Sequence, residues 1–117
     1  MEKVKLKNPS WIPINGRILM EEVKEFPNLS EKGLIKNINE TVNLIAVAVC
    51  ESVKTVKKGD EIRPYTTVVP NEDKKTYRVE YPKFPPCYDP ITKKTYYVIH
   101  DTEIHLVRKP DFEVTFE

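Results

Sequence analysis

Ten prolines spread along 117 residues constrain the fold of this chain more than any other feature. Proline lacks a backbone N–H donor and has a fixed φ, so a proline inside a helix breaks or kinks it. Between the prolines, apolar residues show no sustained 3.6-residue repeat of the kind that an amphipathic helix requires. Helix is therefore expected to be a minor component, and the sequence predicts an all-β fold, either a small barrel or a sandwich.

Apolar runs bounded by turn residues predict where the strands lie. The run LIAVAVC, from Leu44 to Cys50, has the length and composition of a strand buried on both faces, and it is expected at the centre of the core. The remaining predicted strands are Arg17–Val23, a short strand that ends at Pro64, Tyr96–Ile99, Ile104–Val107 and the alternating tail DFEVTFE.

Two long segments are not expected to join this core. The first runs from Lys24 to Asn43 and contains the apolar pair Leu34–Ile35 among charged and amide side chains, directly after Gly33. The second runs from Tyr65 to Thr95. In it, TTVV and TYRVEY predict a hairpin across PNEDKK, and PKFPPCYDP predicts an extended, turn-rich strap. Loops of this length in a compact domain are uncommon and usually functional.

Charge and composition argue against several classes of protein. The 19 basic residues nearly balance the 18 acidic residues and are interleaved with them. This distribution does not give the strongly positive electrostatic potential expected of a nucleic-acid-binding protein. No run approaches the length of a membrane span and the start lacks an apolar signal segment, so a cytoplasmic protein without membrane contact is expected. Cys50 and Cys87 are widely separated and are expected to be reduced thiols.

Motifs for catalysis or metal binding are absent from the sequence. A glycine-rich phosphate loop, a nucleophile elbow and an HExxH helix are all missing. The one cluster of metal-competent side chains is His100, Asp101, Glu103 and His105. In an extended strand, positions five apart point to opposite faces, so the two histidines are not expected to converge on one ion. The sequence therefore predicts no catalytic residue, no metal site and no cofactor.

The order of segments along the chain resembles that of a known family. The segments PINGRILMEEVKE, GLI, LIAVAVCESVKTVKKGDEI and YYVIHDTEIHLV follow one another between residues 13 and 107. This order is similar to that of the GroES-like co-chaperonins, the small lids of the chaperonin cage. The resemblance implies a single domain over residues 1–117, built as a small, partly open β-barrel with a mobile loop at residues 24–43. It also implies an enlarged roof hairpin and strap at residues 65–95 and a C-terminal extension at residues 108–117.

The same resemblance implies a function and its site residues. Gly33, Leu34 and Ile35 would form the element that binds a GroEL-like chaperonin ring, which itself binds ATP. Seven copies would form a ring by pairing the first and last barrel strands, which map onto Ile18, Leu19, Ile104 and Leu106. The protein would not be an enzyme. The long insertion suggests a phage-encoded or specialised member, which would act in the host cytoplasm.

Two other interpretations of the sequence stay open. Leu34, Ile35 and Ile38 are also consistent with one face of a helical turn packed on the barrel. The whole chain is also consistent with a phage structural or nucleic-acid-associated β-barrel that has no chaperonin partner, because tyrosines and lysines recur between residues 74 and 97 as in single-strand binding platforms.

Overall fold

The computed structural model describes residues 3–24, 42–80 and 82–117. Within these ranges the chain forms β-strands and a short 3₁₀ turn at Asp101–Glu103, and no α-helix. The prediction of an all-β fold is therefore confirmed for this part of the chain. The strands are β1 (Lys3–Leu6), β2 (Arg17–Lys24), β3 (Val42–Val49), β4 (Glu61–Pro64), β5 (Thr67–Pro70), β6 (Tyr77–Glu80), β7 (Pro86–Asp89), β8 (Lys94–His100), β9 (Ile104–Arg108) and β10 (Glu113–Phe116).

Most of these strands belong to one antiparallel sheet. Its six strands lie in the order β7-β8-β2-β3-β4-β9, so β7 and β9 are its edges. Two further pairs stand apart from this sheet: β5 and β6 form an antiparallel hairpin, and β1 pairs with β10 in parallel. The strands predicted from the apolar runs are present, and β3 lies in the middle of the sheet as expected.

The connection between β8 and β9 shows that the large sheet is curled. These two strands are second and sixth in the sheet, so in a flat sheet they would lie about 19 Å apart. Only Asp101–Glu103 joins them, as a 3₁₀ turn, and such a connection advances by about 8 Å. The sheet must therefore bend until its β8 side and its β9 side approach each other.

Each face of the curled sheet buries its own apolar cluster. The first cluster joins residues from β8, β4 and β9, which lie at different positions around the curl, so it fills the concave face; these residues are Ile99, Ile62 and Ile104. The loop between β3 and β4 closes this face with Val53 and Val56, which are 6% and 2% exposed. The loop is thus part of the core.

A bulge in β3 reverses the alternation of its side chains. Val47 and Ala48 are consecutive, yet both pack on the second cluster, whereas Ala46 and Val49 pack on the first. The register with β2 shifts at the same point, from Leu19 opposite Ala48 to Met20 opposite Ala46. One extra residue in a strand bends it and increases its twist, which contributes to the curl of the sheet.

The pair β1 and β10 covers the convex face. Leu6 of β1 is 2% exposed and packs with Leu19, Val47 and Tyr96 of the large sheet, and Val114 and Phe116 of β10 pack against the same second cluster. The tail predicted as a half-buried strand is therefore confirmed, and it belongs to the core structure.

The segment from Tyr65 to Thr95 has two parts: the first has the predicted structure and the second does not. The hairpin is confirmed, with Val68 opposite Val79 and Pro70 opposite Tyr77. The expectation that the rest of this segment stays outside the core is wrong, because Pro86–Asp89 forms β7 and pairs with β8. Asp89 at the end of β7 is fully buried, so this part of the segment belongs to the sheet.

Candidate interaction surfaces

The base of the first long segment is the pair of residues at which β2 ends and β3 begins, two strands in the middle of the large sheet. Lys24, the last residue of β2, is paired with Val42, the first residue of β3. Antiparallel neighbours need only two to five residues to connect them, yet residues 25–41 lie between this pair. Asn43, directly after the base, is 5% exposed, so the anchor is part of the packed sheet. The predicted chaperonin-binding residues Gly33, Leu34 and Ile35 lie outside the described residues.

The four predicted interface residues fall in two different environments. Ile18 and Leu19 are 0% and 3% exposed, and their strand β2 is hydrogen-bonded to β8 on one side and to β3 on the other. They are core residues in the single chain and offer no free strand edge. Ile104 and Leu106 lie on the edge strand β9, where the Leu106 side chain is 67% exposed.

A buried carboxylate fixes the edge strand β9 to its neighbour. The Glu61 side chain is 1% exposed, and it accepts hydrogen bonds from Arg108 Nε at 3.1 Å and Arg108 Nη2 at 3.3 Å. Glu61 and Arg108 are directly opposite in the β4–β9 register. Leu106 and Val107, 67% and 37% exposed, therefore sit on an edge strand that is held in place by an ion pair.

The histidine cluster singled out in the sequence serves the turn between β8 and β9. His100 Nδ1 accepts a hydrogen bond from the backbone N–H of Thr102 at 3.2 Å, and the Glu103 carboxylate accepts one from the backbone N–H of His100 at 2.9 Å. This reciprocal arrangement is a capping box. The His105 ring instead lies 6.2 Å from the Tyr65 ring. No group of metal-competent side chains with the geometry of an ion site occurs in residues 3–24, 42–80 and 82–117.

Asp89 is a structural residue that sequence reasoning missed. Its carboxylate accepts hydrogen bonds from the Ser10 backbone N–H at 2.6 Å, the Ser10 hydroxyl at 2.8 Å and the Ile91 backbone N–H at 2.9 Å. Burial alone raises the pKa of this carboxyl, but the hydrogen bonds together outweigh it and hold the pKa below its usual value. The sequence signal was present in YDPIT, since an Asp before such a turn commonly bonds the backbone that follows.

Exposed apolar side chains mark two surfaces that the sequence did not single out. On the hairpin, Val68, Tyr77 and Val79 are 65%, 67% and 59% exposed. Near the start of the chain, Trp11 and Ile12 are 53% and 83% exposed, and the Trp11 indole donates a hydrogen bond to the Tyr88 carbonyl at 3.4 Å. The hairpin surface is the more regular of the two, because its residues share one face of a paired ribbon.

Comparison with known proteins identifies no relative: no family model, no curated protein and no solved structure matches the chain. In the described ranges, no helix combines the length and apolar character needed to cross a lipid bilayer. The class defined by the fold is that of a small all-β domain with a curled six-stranded sheet.

Proposed function

We propose that the protein is a co-chaperonin, a GroES-like lid that caps a chaperonin ring so that a substrate protein folds in the enclosed chamber. The observation that carries the proposal is the pairing of Lys24 with Val42. Two rigid central strands present the ends of a long, mostly polar segment whose short apolar element is Gly33, Leu34 and Ile35. The order of segments between residues 13 and 107 supports the same assignment. In this proposal the curled sheet is the partly open barrel of the lid.

The energetics of such a loop suit a lid that must bind and leave. Leu34 and Ile35 each contribute at most about 1.5–3 kcal/mol when they enter an apolar groove. Ordering the polar residues around them on binding offsets much of this gain. A single loop therefore binds weakly, whereas a ring of loops binds tightly because each later contact is intramolecular. The lid has no catalytic residue and no cofactor, and the chaperonin hydrolyses the ATP.

Assembly into a ring, expected to be a heptamer, uses the edge strand β9. Its exposed Leu106 and its partly buried Ile104 are in a position to meet a neighbouring subunit, and pairing along a free strand edge provides backbone hydrogen bonds as well. Ile18 and Leu19 act indirectly in this proposal, by packing the core under the sheet.

Mass measurement of the native particle and binding to a purified chaperonin ring test the proposal together. The wild-type protein is expected to form a ring and to bind the chaperonin in the presence of ATP. Leu34→Ala combined with Ile35→Ala should abolish binding while leaving the ring mass and the melting temperature unchanged. Ile12→Ala, which removes an equally apolar side chain that is 83% exposed elsewhere, is the matched control and should bind normally.

Two results would contradict the proposal. A wild-type protein that stays monomeric at all concentrations is not a ring-forming lid. A double variant that loses its melting transition, and binds only as poorly as its unfolded fraction requires, would assign Leu34 and Ile35 to the core of the domain.

A further inference from the structure

The hairpin of β5 and β6 has one apolar face and one mostly polar face. Val68, Pro70, Tyr77 and Val79 lie on the same side of the ribbon, because Val68 is opposite Val79 and Pro70 is opposite Tyr77. The other side carries Val69 opposite Arg78 and Thr67 opposite Glu80. Val68, Tyr77 and Val79 are all more than half exposed. Within the described residues, no member of the hairpin belongs to either core cluster. A two-stranded hairpin is marginally stable alone, so further strands paired to its edges would stabilise it.

The two outer edges of the hairpin differ in the backbone donors and acceptors that they present to another strand. The backbone N–H of Asn71 donates to the Thr76 carbonyl at 2.9 Å, so these two residues form a hydrogen-bonded pair. Because such pairs alternate along an antiparallel ladder, the backbone groups of Val68, Pro70, Tyr77 and Val79 point outward. On the β5 edge Pro70 has no N–H, and its carbonyl accepts a hydrogen bond from Arg78 Nη1 at 3.3 Å. On the β6 edge, Tyr77 and Val79 each direct both a backbone N–H donor and a backbone C=O acceptor outward.

Charges on the mostly polar face favour a second copy of β6 as the partner of the β6 edge. Arg78 and Glu80 flank Val79 and are joined by a salt bridge of 2.9 Å. When a second β6 approaches antiparallel with Val79 opposite Val79, each Arg78 lies opposite the Glu80 of the other copy. Opposite charges directly across a ladder stabilise it, whereas like charges destabilise it. The neighbouring register, centred on Arg78, would place the two arginines opposite each other and is disfavoured.

We propose that the β6 edge is a self-association site, at which two copies of this chain pair antiparallel about Val79 and form a four-stranded sheet in the order β5-β6-β6-β5. Both apolar faces then lie on the same side of the new sheet and form one continuous surface. The contact is isologous, so it closes after two copies. It does not depend on the proposed co-chaperonin function, and in a ring-forming lid it would join one lid to another.

Cysteine cross-linking of the full chain tests the pairing. In a Cys87→Ser background, Val79→Cys should form a disulfide-linked dimer under mild oxidation, because residues in a hydrogen-bonded pair lie about 5.5 Å apart between Cα atoms, within disulfide range. Val68→Cys is the matched control, since its side chain is similarly exposed on the same face but sits on the β5 edge. It should stay unlinked. Equal cross-linking of both variants, or of neither, would overturn the proposal.

Backbone and charge variants give a second, independent readout by sedimentation. Val79→Pro removes the outward N–H on the β6 edge and should weaken dimerisation by about tenfold or more, whereas Val68→Pro should leave it unchanged. Arg78→Glu and Glu80→Arg should each abolish self-association, because each places like charges opposite each other. Mixing these two variants should restore a dimer, now a heterodimer with complementary pairs. A mixture that stays monomeric while the wild type dimerises would refute the register.

Discussion

Glu61 and Arg108 form an ion pair, and replacing one or the other is expected to change the free energy of unfolding by very different amounts. The Glu61 side chain is 1% exposed, whereas the Arg108 side chain is 57% exposed. Arg108→Met leaves a carboxylate that is almost inaccessible to water, with the Arg63 guanidinium 3.7 Å away as a neighbour of opposite charge. Glu61→Met removes the buried charge and leaves the arginine side chain largely in water. The arginine substitution should therefore be the more damaging one.

The burial of the Glu61 carboxylate sets the size of the difference in the free energy of unfolding between the two variants. Breaking a fully buried pair by removing one partner costs about 3–5 kcal/mol. Here Arg63 remains and Arg108 is more than half exposed, so the free energy of unfolding should fall by about 2 kcal/mol for Arg108→Met, or roughly 8 °C in melting temperature. Glu61→Met should change the free energy of unfolding by less than about 1 kcal/mol, because an apolar side chain of similar volume replaces a costly buried charge.

Urea unfolding at neutral pH measures both changes, and the double variant completes a thermodynamic cycle. Arg78→Met, measured at a protein concentration where the chain is monomeric, is the matched control, because its salt bridge to Glu80 joins side chains that are 51% and 44% exposed and should be worth less than about 1 kcal/mol. The reasoning is refuted if Glu61→Met destabilises the protein as much as Arg108→Met, or if 1 M salt removes the cost of Arg108→Met, since a buried carboxylate is only weakly screened.

Two further predictions concern the turns. Gly16→Ala should lower the free energy of unfolding, measured by urea titration, by about 1–3 kcal/mol, because φ is +76° at this position and a Cβ would lie 2.9 Å from His100 Nε2. Lys93→Gly is the control: Lys93 has a φ of +60°, so glycine there should be neutral or stabilising. Asp89→Asn should be less stable than the wild type above the unfolded carboxyl pKa of 3.8. This difference should shrink as the pH falls through the lower pKa of the folded state, and a difference that grows on acidification would contradict the assignment.

The strands of the large sheet were predictable where local pattern decides them. The predicted strands Arg17–Val23 and Leu44–Cys50 correspond to the observed strands Arg17–Lys24 and Val42–Val49, with ends that differ by one or two residues. Lys24, Val42 and Asn43 were expected outside the core and belong to the sheet instead. The hairpin was predictable for the same reason, since alternation and a polar turn are encoded within a few residues. These features depend on short-range sequence, and the structure agrees with them.

Features that depend on distant partners were not predictable. Pro86–Asp89 was expected to be a strap because its prolines disfavour a strand, but a proline is tolerated at a sheet edge, and β7 is such an edge. The bulge at Val47 and Ala48 arises from pairing with β2, and a run of apolar residues looks the same with or without it. The burial of Ile18 and Leu19 on an interior strand likewise depends on the position of β8, which pairs with them from far along the sequence.

The parallel pairing of β1 with β10 has a consequence for how the chain folds. Lys3 is paired with Glu113, so this contact joins residues almost as far apart in sequence as the described chain permits. Contacts of large sequence separation form late, because the entropy of closing the intervening loop must be offset before the contact stabilises anything. Until β10 arrives, the apolar convex face with Leu19, Val47 and Tyr96 is uncovered. The slow step of folding is thus expected to coincide with an aggregation-prone intermediate, and refolding yield should fall as protein concentration rises.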